Sequence, residues 1–297
     1  MTAVRFITNS NNVADCVILR TSTGELSKVK VRKAIIVAGG AVASSHFLMR
    51  SEIKNPNIGK ALSCNFAFPM AFEFDEEIKA FDGEQITLGA LDPNSRSAFE
   101  TYFNPPASFA LSSVPFFFDR RQSMMEGYSR MLNFGSLLGA EARGEIKPKA
   151  DVLNGQAFSW SLGEKDVNNI KYALTSLVQL GKYAGAKRAI IPTKPGIDLP
   201  LNDAAIAAFN KEFNAFPLRI TDLAIATAHP QGGNFMAGKD SEFKEHRVIT
   251  EEFKVAGVPN VYVADASLFP TSITVNPQWT IMAMASLAMD SVIKNCE

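Results

Sequence analysis

The sequence predicts a mixed fold with both α/β and α+β character, and three segments lead to this prediction. Residues 34–40 form a continuous apolar run that ends in two glycines, as buried parallel strands often do. Residues 261–264 form a second short apolar run, which ends before an acid. Residues 66–74 instead alternate, which is typical of a sheet strand with one packed face. Two kinds of strand in one chain favour two differently built regions.

The first region is predicted to begin with short strands separated by turns. A helix is expected after the glycines of residues 34–40, with Ser44 or Ser45 as its N-terminal cap. The last strand, at residues 261–264, is followed by a helix that begins at Pro277 and extends to about Lys294. The three initial strands are assigned to residues 4–7, 16–19 and 28–31.

The middle of the chain, from residue 66 to about residue 217, has a different character. It holds a dense aromatic cluster at residues 113–118, and apolar spacing of helical period recurs within it. Ordinary sheet packing explains its phenylalanines at least as well as an apolar substrate does. Helices are predicted at residues 122–132, 166–183 and 203–214, and strands at residues 134–138 and 157–162.

Composition excludes several classes of function. The 297 residues carry 30 basic and 30 acidic side chains, so neither the net charge nor any basic block indicates a nucleic-acid partner. Three widely separated cysteines predict neither a disulfide framework nor a metal site. The longest apolar run, residues 280–289, is too short to span a bilayer. No targeting segment is visible, which leaves the localisation open and favours the cytoplasm.

Three histidines are the candidates for acid–base chemistry, and His229 is the strongest of them. It precedes Gly232 and Gly233, whose small size would let the backbone approach a planar ligand closely. A hydrogen-bonded core histidine is the alternative for His229 taken alone. His246 lies in a charged stretch that predicts a surface position, and His46 is interpreted as structural.

Two residues near the C-terminus have a structural and a chemical interpretation. Asn276 before Pro277 is typical of a helix cap with proline at the first helical position. Asp265 follows the strand at residues 261–264, where it could cap the turn at Ser267 or accept a bond from a sugar hydroxyl.

Taken in order, these motifs resemble the C-terminal signature of the glucose–methanol–choline (GMC) flavoprotein oxidoreductases, cholesterol-oxidase-like branch. The matching elements are the His-Pro-x-Gly-Gly run from His229, the acid-containing strand end at residues 261–267, and the Val-Asn-Pro-x-x-Thr run at residues 275–280. The resemblance implies an incomplete, Rossmann-like FAD-binding domain with an inserted antiparallel-sheet substrate domain backed by helices. The expected boundaries are residues 1–65 and 218–297 for the FAD-binding pieces and 66–217 for the substrate domain.

The resemblance also implies roles for individual residues. In the family, the counterpart of His229 removes the proton of a substrate hydroxyl while a hydride passes to flavin N5. Asn276 would lie opposite and orient the substrate oxygen, and no metal is expected. The residues implied to contact FAD are Asp265, Ala266, Pro277, Gly39, Gly40, Gly232 and, by looser analogy, Val4.

The glycine-rich dinucleotide fingerprint G-x-G-x-x-G does not occur in the 297 residues. The chain is therefore expected to be the C-terminal portion of a longer GMC-type enzyme that oxidises a small-molecule alcohol, with an apolar one among the possibilities and the electron acceptor left open. A fragment without catalytic activity and a flavin-dependent lyase on the same fold are the alternatives.

Overall fold

A computed structural model describes residues 1–84, 86–92, 95, 97–102, 105–114, 120–148 and 157–296. The chain forms two compact units. Unit 1 comprises Met1–Cys64, Glu141–Ser161 and His229–Glu297, and unit 2 comprises Asn65–Ala140 and Leu162–Ala228. The predicted mixed fold class, with antiparallel sheets and helices, is confirmed.

Unit 1 opens with a three-stranded antiparallel meander in the order β1–β2–β3. The predicted initial strands are all present. Phe6 is fully buried, and its N–H donates to the Ser51 hydroxyl at 2.9 Å, which ties the meander to the helix that follows. The strands are β1 (Thr2–Thr8), β2 (Ala14–Arg20) and β3 (Leu26–Lys30).

A parallel strand pair lies at the centre of unit 1. Strand β4 (Ile35–Val37) pairs in parallel with β14 (Val261–Val263), so the two apolar runs predicted as buried strands are neighbours. Helix α1 (Gly40–Arg50) follows β4 directly. The expectation that Ser44 or Ser45 caps this helix is wrong, because the helix begins at Gly40 and both serines lie inside it.

The core of unit 1 is formed where α1 and the C-terminal helix α6 (Gln278–Cys296) enclose the parallel pair. Tyr262 of β14 is almost completely buried. Other core members are Phe6, Leu48, Val248, Ile249, Val261, Val263, Leu268 and Ala288. Short strands complete the unit: β9 (Gly144–Ile146), β10 (Phe158–Ser159) and β13 (Pro230–Gln231).

Unit 2 is an antiparallel sheet in the order β12–β11–β5–β8–β7–β6. Its central strand β5 (Lys60–Glu73) pairs with β8 (Met131–Gly139) over nine residue pairs, from Asn65↔Gly139 to Glu73↔Met131. The other strands are β6 (Gly89–Asp92), β7 (Ser97–Tyr102), β11 (Arg188–Ile191) and β12 (Ile197–Pro200), and the helices are α2 (Pro106–Ser112), α3 (Arg121–Glu126), α4 (Glu164–Tyr183) and α5 (Asp203–Ala215).

Helix α4 packs directly against this sheet because Gly181 has no side chain. A Cβ atom at Gly181 would lie 2.1 Å from the ring of Phe72. Phe72 cannot move aside easily, since its ring stacks on that of Phe134 with centroids 4.0 Å apart. The spacing of α4 therefore depends on glycine at this one position.

Two sequence predictions differ from the structure in the middle region, and part of a third lies outside the described residues. The helix expected at residues 122–132 ends at Glu126, because Met131 begins β8 and pairs with Glu73. The strand expected at residues 157–162 is reduced to Phe158–Ser159. Residues 115–119 of the aromatic cluster lie outside the described residues.

One segment groups differently from the expected substrate domain at residues 66–217. Residues 141–161 belong to unit 1, because β9 pairs with Lys60 and Leu62 of β5 within that unit. His46 of α1 also contacts this segment, through its Nε2 atom 2.9 Å from the Lys147 carbonyl oxygen. Hydrogen bonding therefore holds the segment to α1 and to the start of β5.

Replacement of Gly181 by leucine is expected to destabilise the protein. The new side chain must displace the stacked Phe72 ring, and overpacking of this kind costs about 2 kcal/mol or more. Urea unfolding followed by circular dichroism measures the change. Gly83→Leu is the control, because a Cβ atom at Gly83 meets no heavy atom within 4 Å. Equal unfolding midpoints for the two variants would contradict this account.

Candidate functional site

A buried glutamine links the segment of His229 to the segment of Asn276. Gln231 of β13 is completely buried and pairs with Ser63 of β5. Its side-chain Oε1 accepts a hydrogen bond from the N–H of Ile273 at 3.1 Å. Because Gln231 follows His229 by two residues and Ile273 precedes Asn276 by three, this bond links the two candidate catalytic segments.

His229 is partly buried at the start of its segment of unit 1. This burial lowers the pKa of its imidazole below the ordinary value near 6.5, because a desolvated ring resists charging. The ring is therefore neutral at neutral pH. A neutral imidazole can accept a proton, which is the property that a general base requires.

Asn276 and Pro277 precede the first turn of α6. Asn276 is exposed and Pro277 is buried. The N–H of Ile281 donates to the Pro277 carbonyl oxygen at 2.9 Å, so the helical bonding begins at this proline. The N-terminus of a long helix carries partial positive charge, and Asn276 lies at that end.

The Asp265 carboxylate accepts three hydrogen bonds from the protein itself. Its Oδ2 accepts from the Gly40 N–H at 2.9 Å and from the Ser44 hydroxyl at 2.5 Å. Its Oδ1 accepts from the Ser267 N–H at 2.9 Å. The side chain is buried. Asp265 therefore joins the start of α1 to the turn after β14, and the predicted cap of the Ser267 turn is present.

Backbone hydrogen bonds align the glycine pair with this same turn. The N–H of Gly232 donates to the Ala266 carbonyl oxygen at 2.9 Å, and the N–H of Asn234 donates to the Ser267 carbonyl oxygen at 2.9 Å. A Cβ atom at Gly232 would lie 2.2 Å from the Ala61 carbonyl oxygen. The close approach that glycine permits at Gly232 is thus an approach to the protein's own backbone.

The start of α1 is the part of the site that fits a bound cofactor. Gly40 has a φ of +81°, and a Cβ atom there would meet no heavy atom within 4 Å. Glycine is required by this backbone conformation, and space is open at its α-carbon. Gly39 precedes it, and its N–H donates to the Ser44 hydroxyl at 3.0 Å. A nucleotide group could approach the first turn of α1 at this point.

The structure brings most of the predicted site residues into one hydrogen-bonded network within unit 1. Gly40 bonds to Asp265, Gly232 bonds to Ala266, and the loop after His229 bonds through Gln231 to the loop before Asn276. Val4 lies apart at an irregular position in β1, between the pairs Ala3↔Leu19 and Arg5↔Ile18. No hydrogen bond among the described residues joins Val4 to the network.

The sequence analysis missed two residues that hold the site together, Gln231 and Ser44. Each has a polar side chain that is buried and bonded across more than forty residues of sequence. The position of Gln231 inside the His-Pro-Gln-Gly-Gly run was the available signal, since a polar residue there needs a buried partner.

Two further findings apply to the residues that the structure describes. Within them, no group of three or more histidine, cysteine, aspartate or glutamate side chains is arranged to hold a metal ion. None of the helices in the same part of the chain is both long and apolar enough to cross a membrane.

Comparison with known proteins gives a consistent family assignment. Two sequence models described as GMC oxidoreductase match the chain, one at residues 1–67 and the other at residues 140–285. A long-chain-alcohol oxidase of Arabidopsis thaliana is 26% identical over 280 residues, covering 88% of this chain and 37% of that protein. An uncharacterized GMC-type oxidoreductase of Sinorhizobium fredii is 26% identical over 271 residues, covering 90% of this chain and 51% of that protein.

Solved structures show the same fold. A variant of formate oxidase from Aspergillus oryzae superposes with a TM-score of 0.69 at 13% sequence identity, covering 99% of this chain and 60% of that one. The chain therefore spans about half or less of the two relatives it matches in sequence and three-fifths of the formate oxidase.

Replacement of Asp265 by alanine is expected to destabilise unit 1. The change leaves the Gly40 N–H, the Ser44 hydroxyl and the Ser267 N–H without their acceptor in a buried place, at a cost on the order of 3 kcal/mol. Urea unfolding of the chain measures this loss. Asp240→Ala, at an exposed acid in the same unit, should change stability little, and a similar small effect for Asp265→Ala would argue against the three bonds.

Replacement of Gln231 by leucine is expected to free the Ile273 amide. Without the Oε1 acceptor, exchange of the Ile273 N–H should accelerate at least about tenfold, because the broken bond contributes roughly 1.5 kcal/mol. Amide hydrogen exchange read by NMR provides the measurement. Gln122→Leu, at an exposed glutamine of α3, serves as the control. Unchanged protection of Ile273 would mean that Gln231 does not link the two segments.

Proposed function

The chain belongs to the GMC oxidoreductase family, and from this premise we propose that it carries the catalytic part of an enzyme that oxidises the CH–OH group of an alcohol. The comparisons indicate FAD as the cofactor. The observation that carries the proposal is the bond from Ile273 to Gln231, which holds the His229 segment beside the Asn276 segment. The activity, substrate and partners of the whole protein are likewise proposed, because the chain spans only part of the length of its relatives.

His229 acts as the base in this proposal. Its lowered pKa keeps the imidazole neutral, so the ring can take the hydroxyl proton of an alcohol at neutral pH. The other two histidines have different surroundings from His229, because His246 is exposed and His46 is buried. His246 lies beside Glu245 on the surface, and His46 makes a structural contact with the Lys147 carbonyl oxygen. His229 precedes Gly232 by three residues, and the N–H of Gly232 donates to the Ala266 carbonyl oxygen.

Asn276 orients the substrate in this proposal. Its side-chain amide can donate to the substrate oxygen or accept from its hydroxyl, but it has no basic group at neutral pH. Asn276 is exposed and lies just before α6. A pair made of one base and one neutral amide separates the two tasks of proton removal and orientation.

The open turn at the start of α1 and the start of α6 are the proposed cofactor contacts. When bound, FAD supplies the hydride acceptor that none of the twenty side chains provides. Gly39, Gly40 and Pro277 would face it, as would the backbone of Ala266, whose carbonyl oxygen is held by the N–H of Gly232. Asp265 would act by holding Gly40 and Ser267 in place, because its oxygens already accept three bonds. The proposed role of Val4 rests on family analogy alone.

The proposed substrate is a small-molecule alcohol, and an apolar alcohol is the first to test because the Arabidopsis relative is a long-chain-alcohol oxidase. The range of residues 66–217 is proposed to bind it. The antiparallel sheet of unit 2 holds buried phenylalanines, including Phe66, Phe68 and Phe72 of β5. These side chains belong to the core, so the preference for an apolar alcohol rests on the relative.

The test measures the ~450 nm flavin absorbance and its anaerobic bleaching by a panel of long-chain and sugar alcohols. The chain is used alone and co-expressed with the remaining part of the Sinorhizobium relative. Bleaching by alcohols is expected in the co-expressed form. Replacement of His229 by alanine should slow it by about 10²–10⁴-fold, the usual contribution of a general base. His246→Ala, at an exposed histidine, is the matched control.

The pH dependence of bleaching gives the same test a second readout. Because the base must be neutral, the rate should fall about tenfold per pH unit below the pKa of His229. Burial lowers that pKa, so the midpoint of the acid limb should lie below ~6.5, and the limb should be absent in His229→Ala. A flavin-loaded protein that no alcohol bleaches, or an unaffected His229→Ala variant, would overturn the proposal.

A further inference from the structure

Unit 2 contains a cavity of about 560 Å³ beside helix α5. Strand β12 and the turn before it form the opposite wall, and the segment after α5 closes one end. The volume falls within the range of about 300–1,000 Å³ that is usual for small-molecule sites in proteins. All of its lining residues lie between Thr193 and Asp222, so the cavity is formed within unit 2, whereas the candidate site described above is built in unit 1.

Helix α5 presents one face to this cavity. The lining residues of the helix follow the i, i+3, i+4, i+7, i+8 pattern of a single helical face. They are Ala205, Ala208, Phe209, Glu212 and Phe213. The rings of Phe209 and Phe213 are buried and stacked, with centroids 5.1 Å apart, so they form a rigid apolar surface. Ala205 and Ala208 are small, and the space beside them belongs to the cavity.

The mouth of the cavity keeps large apolar side chains in contact with water. Ile197 is 38% exposed and Phe216 is 45% exposed, although both line the cavity. The position of Phe216 is fixed by helix α4, because the Lys171 ammonium donates to the carbonyl oxygens of Asn214 at 2.8 Å and Phe216 at 2.6 Å. Ordered apolar groups around a concave surface are typical of a ligand site, since a ligand removes them from water.

The charged groups of the cavity balance one another. The Asp222 carboxylate accepts bonds from the Arg219 guanidinium through both of its oxygens, at 2.9 and 3.1 Å, so its charge is already compensated. The other two charged residues of the lining, Lys194 and Glu212, are exposed and opposite in sign. A charged ligand would therefore lose hydration without meeting a net opposite charge. A hydroxyl group can both accept from an ammonium and donate to a carboxylate, so it suits this pair.

The shape of the cavity favours an extended ligand. From Ala205 to Phe213 its lining follows α5 for about 12 Å, at 1.5 Å per residue. We propose that the cavity binds an uncharged single-chain amphiphile, represented by a long-chain primary alcohol, with the hydrocarbon chain against α5 and the hydroxyl at Lys194 and Glu212. The molecule would bind here whether or not the protein oxidises it, so this site goes beyond the proposed function and does not depend on it.

Isothermal titration calorimetry of the flavin-free chain with 1-octanol tests the site directly. One binding event is expected, and its affinity should rise roughly fourfold for each CH₂ group added along a series of primary alcohols, because each buried CH₂ group is transferred out of water. Octanoate and octylamine are the comparison ligands. Each should bind at least about tenfold more weakly than 1-octanol, because each carries a charge that the balanced lining does not compensate.

Two neighbouring alanines of α5 provide a matched pair of variants. Ala208 lines the cavity, whereas Ala207 is exposed outside it. Ala208→Leu places a larger side chain in the cavity and should weaken 1-octanol binding at least about tenfold, while Ala207→Leu should leave it unchanged. Phe216→Ser at the half-exposed mouth is a second variant, for the case in which Ala208→Leu does not fold. Circular dichroism of each variant shows whether the fold is kept.

Three results would overturn the proposal: no binding of 1-octanol, binding that the folded variants at Ala208 and Phe216 leave intact, or octanoate bound as tightly as the alcohol. The readout is heat of binding rather than flavin reduction, so the two proposals fail separately. Binding that Ala208→Leu weakens, in a protein whose flavin no alcohol bleaches, would contradict the proposed function and leave this site standing. Bleaching by alcohols without binding at the cavity would do the reverse.

Discussion

The Asp265 carboxylate is the interaction on which the organisation of unit 1 depends. It accepts hydrogen bonds from both strand-to-helix turns of the parallel pair, at Gly40 and Ser44 on one side and at Ser267 on the other. The backbone of Gly232 and Asn234 then bonds to the turn that Asp265 fixes. A buried carboxylate that accepts hydrogen bonds from three protein groups has a structural role, whatever its part in the chemistry. The proposed cofactor contacts at Gly39, Gly40 and Ala266 depend on these bonds, because each of the three residues is bonded to Asp265 or adjacent to a residue that is.

Sequence reasoning located the strands of unit 1 because the determining signals were local. Two apolar runs, ending in Gly39–Gly40 and before Asp265, predicted two buried strands, and the structure adds that these strands, β4 and β14, pair in parallel. The prediction failed where long-range pairing outweighed local preference. Residues 127–132 have helical spacing, yet Met131 and Leu132 pair with β5 across nearly sixty residues of sequence. Gln231 was missed for the same reason, since its partner Ile273 lies forty-two residues away.

Gly40 and Gly232 are both glycines for a physical reason, but the reason differs between them. Gly232 is closed in by the Ala61 carbonyl oxygen, so its missing side chain permits packing within the protein. Gly40 has open space at its α-carbon and a positive φ, so its missing side chain leaves room for a ligand. Sequence alone assigned both to the cofactor by their resemblance to the family motif. The surrounding space is what separates a packing glycine from a candidate binding glycine.

The two units differ in how many of their strands have hydrogen-bonded neighbours on both sides. The sheet of unit 2 is antiparallel, and its central strands β5 and β8 each have a neighbour on both sides. Unit 1 instead builds its site on two parallel strands, an arrangement that rarely stands without further strands beside it. The hydrogen bonds of Asp265 and Gln231 order the loops around the candidate site, but among the described residues no strand pairs with the side of β4 that faces away from β14. The candidate site and this unpaired edge have one origin, because the turns that form the site are the ends of β4 and β14.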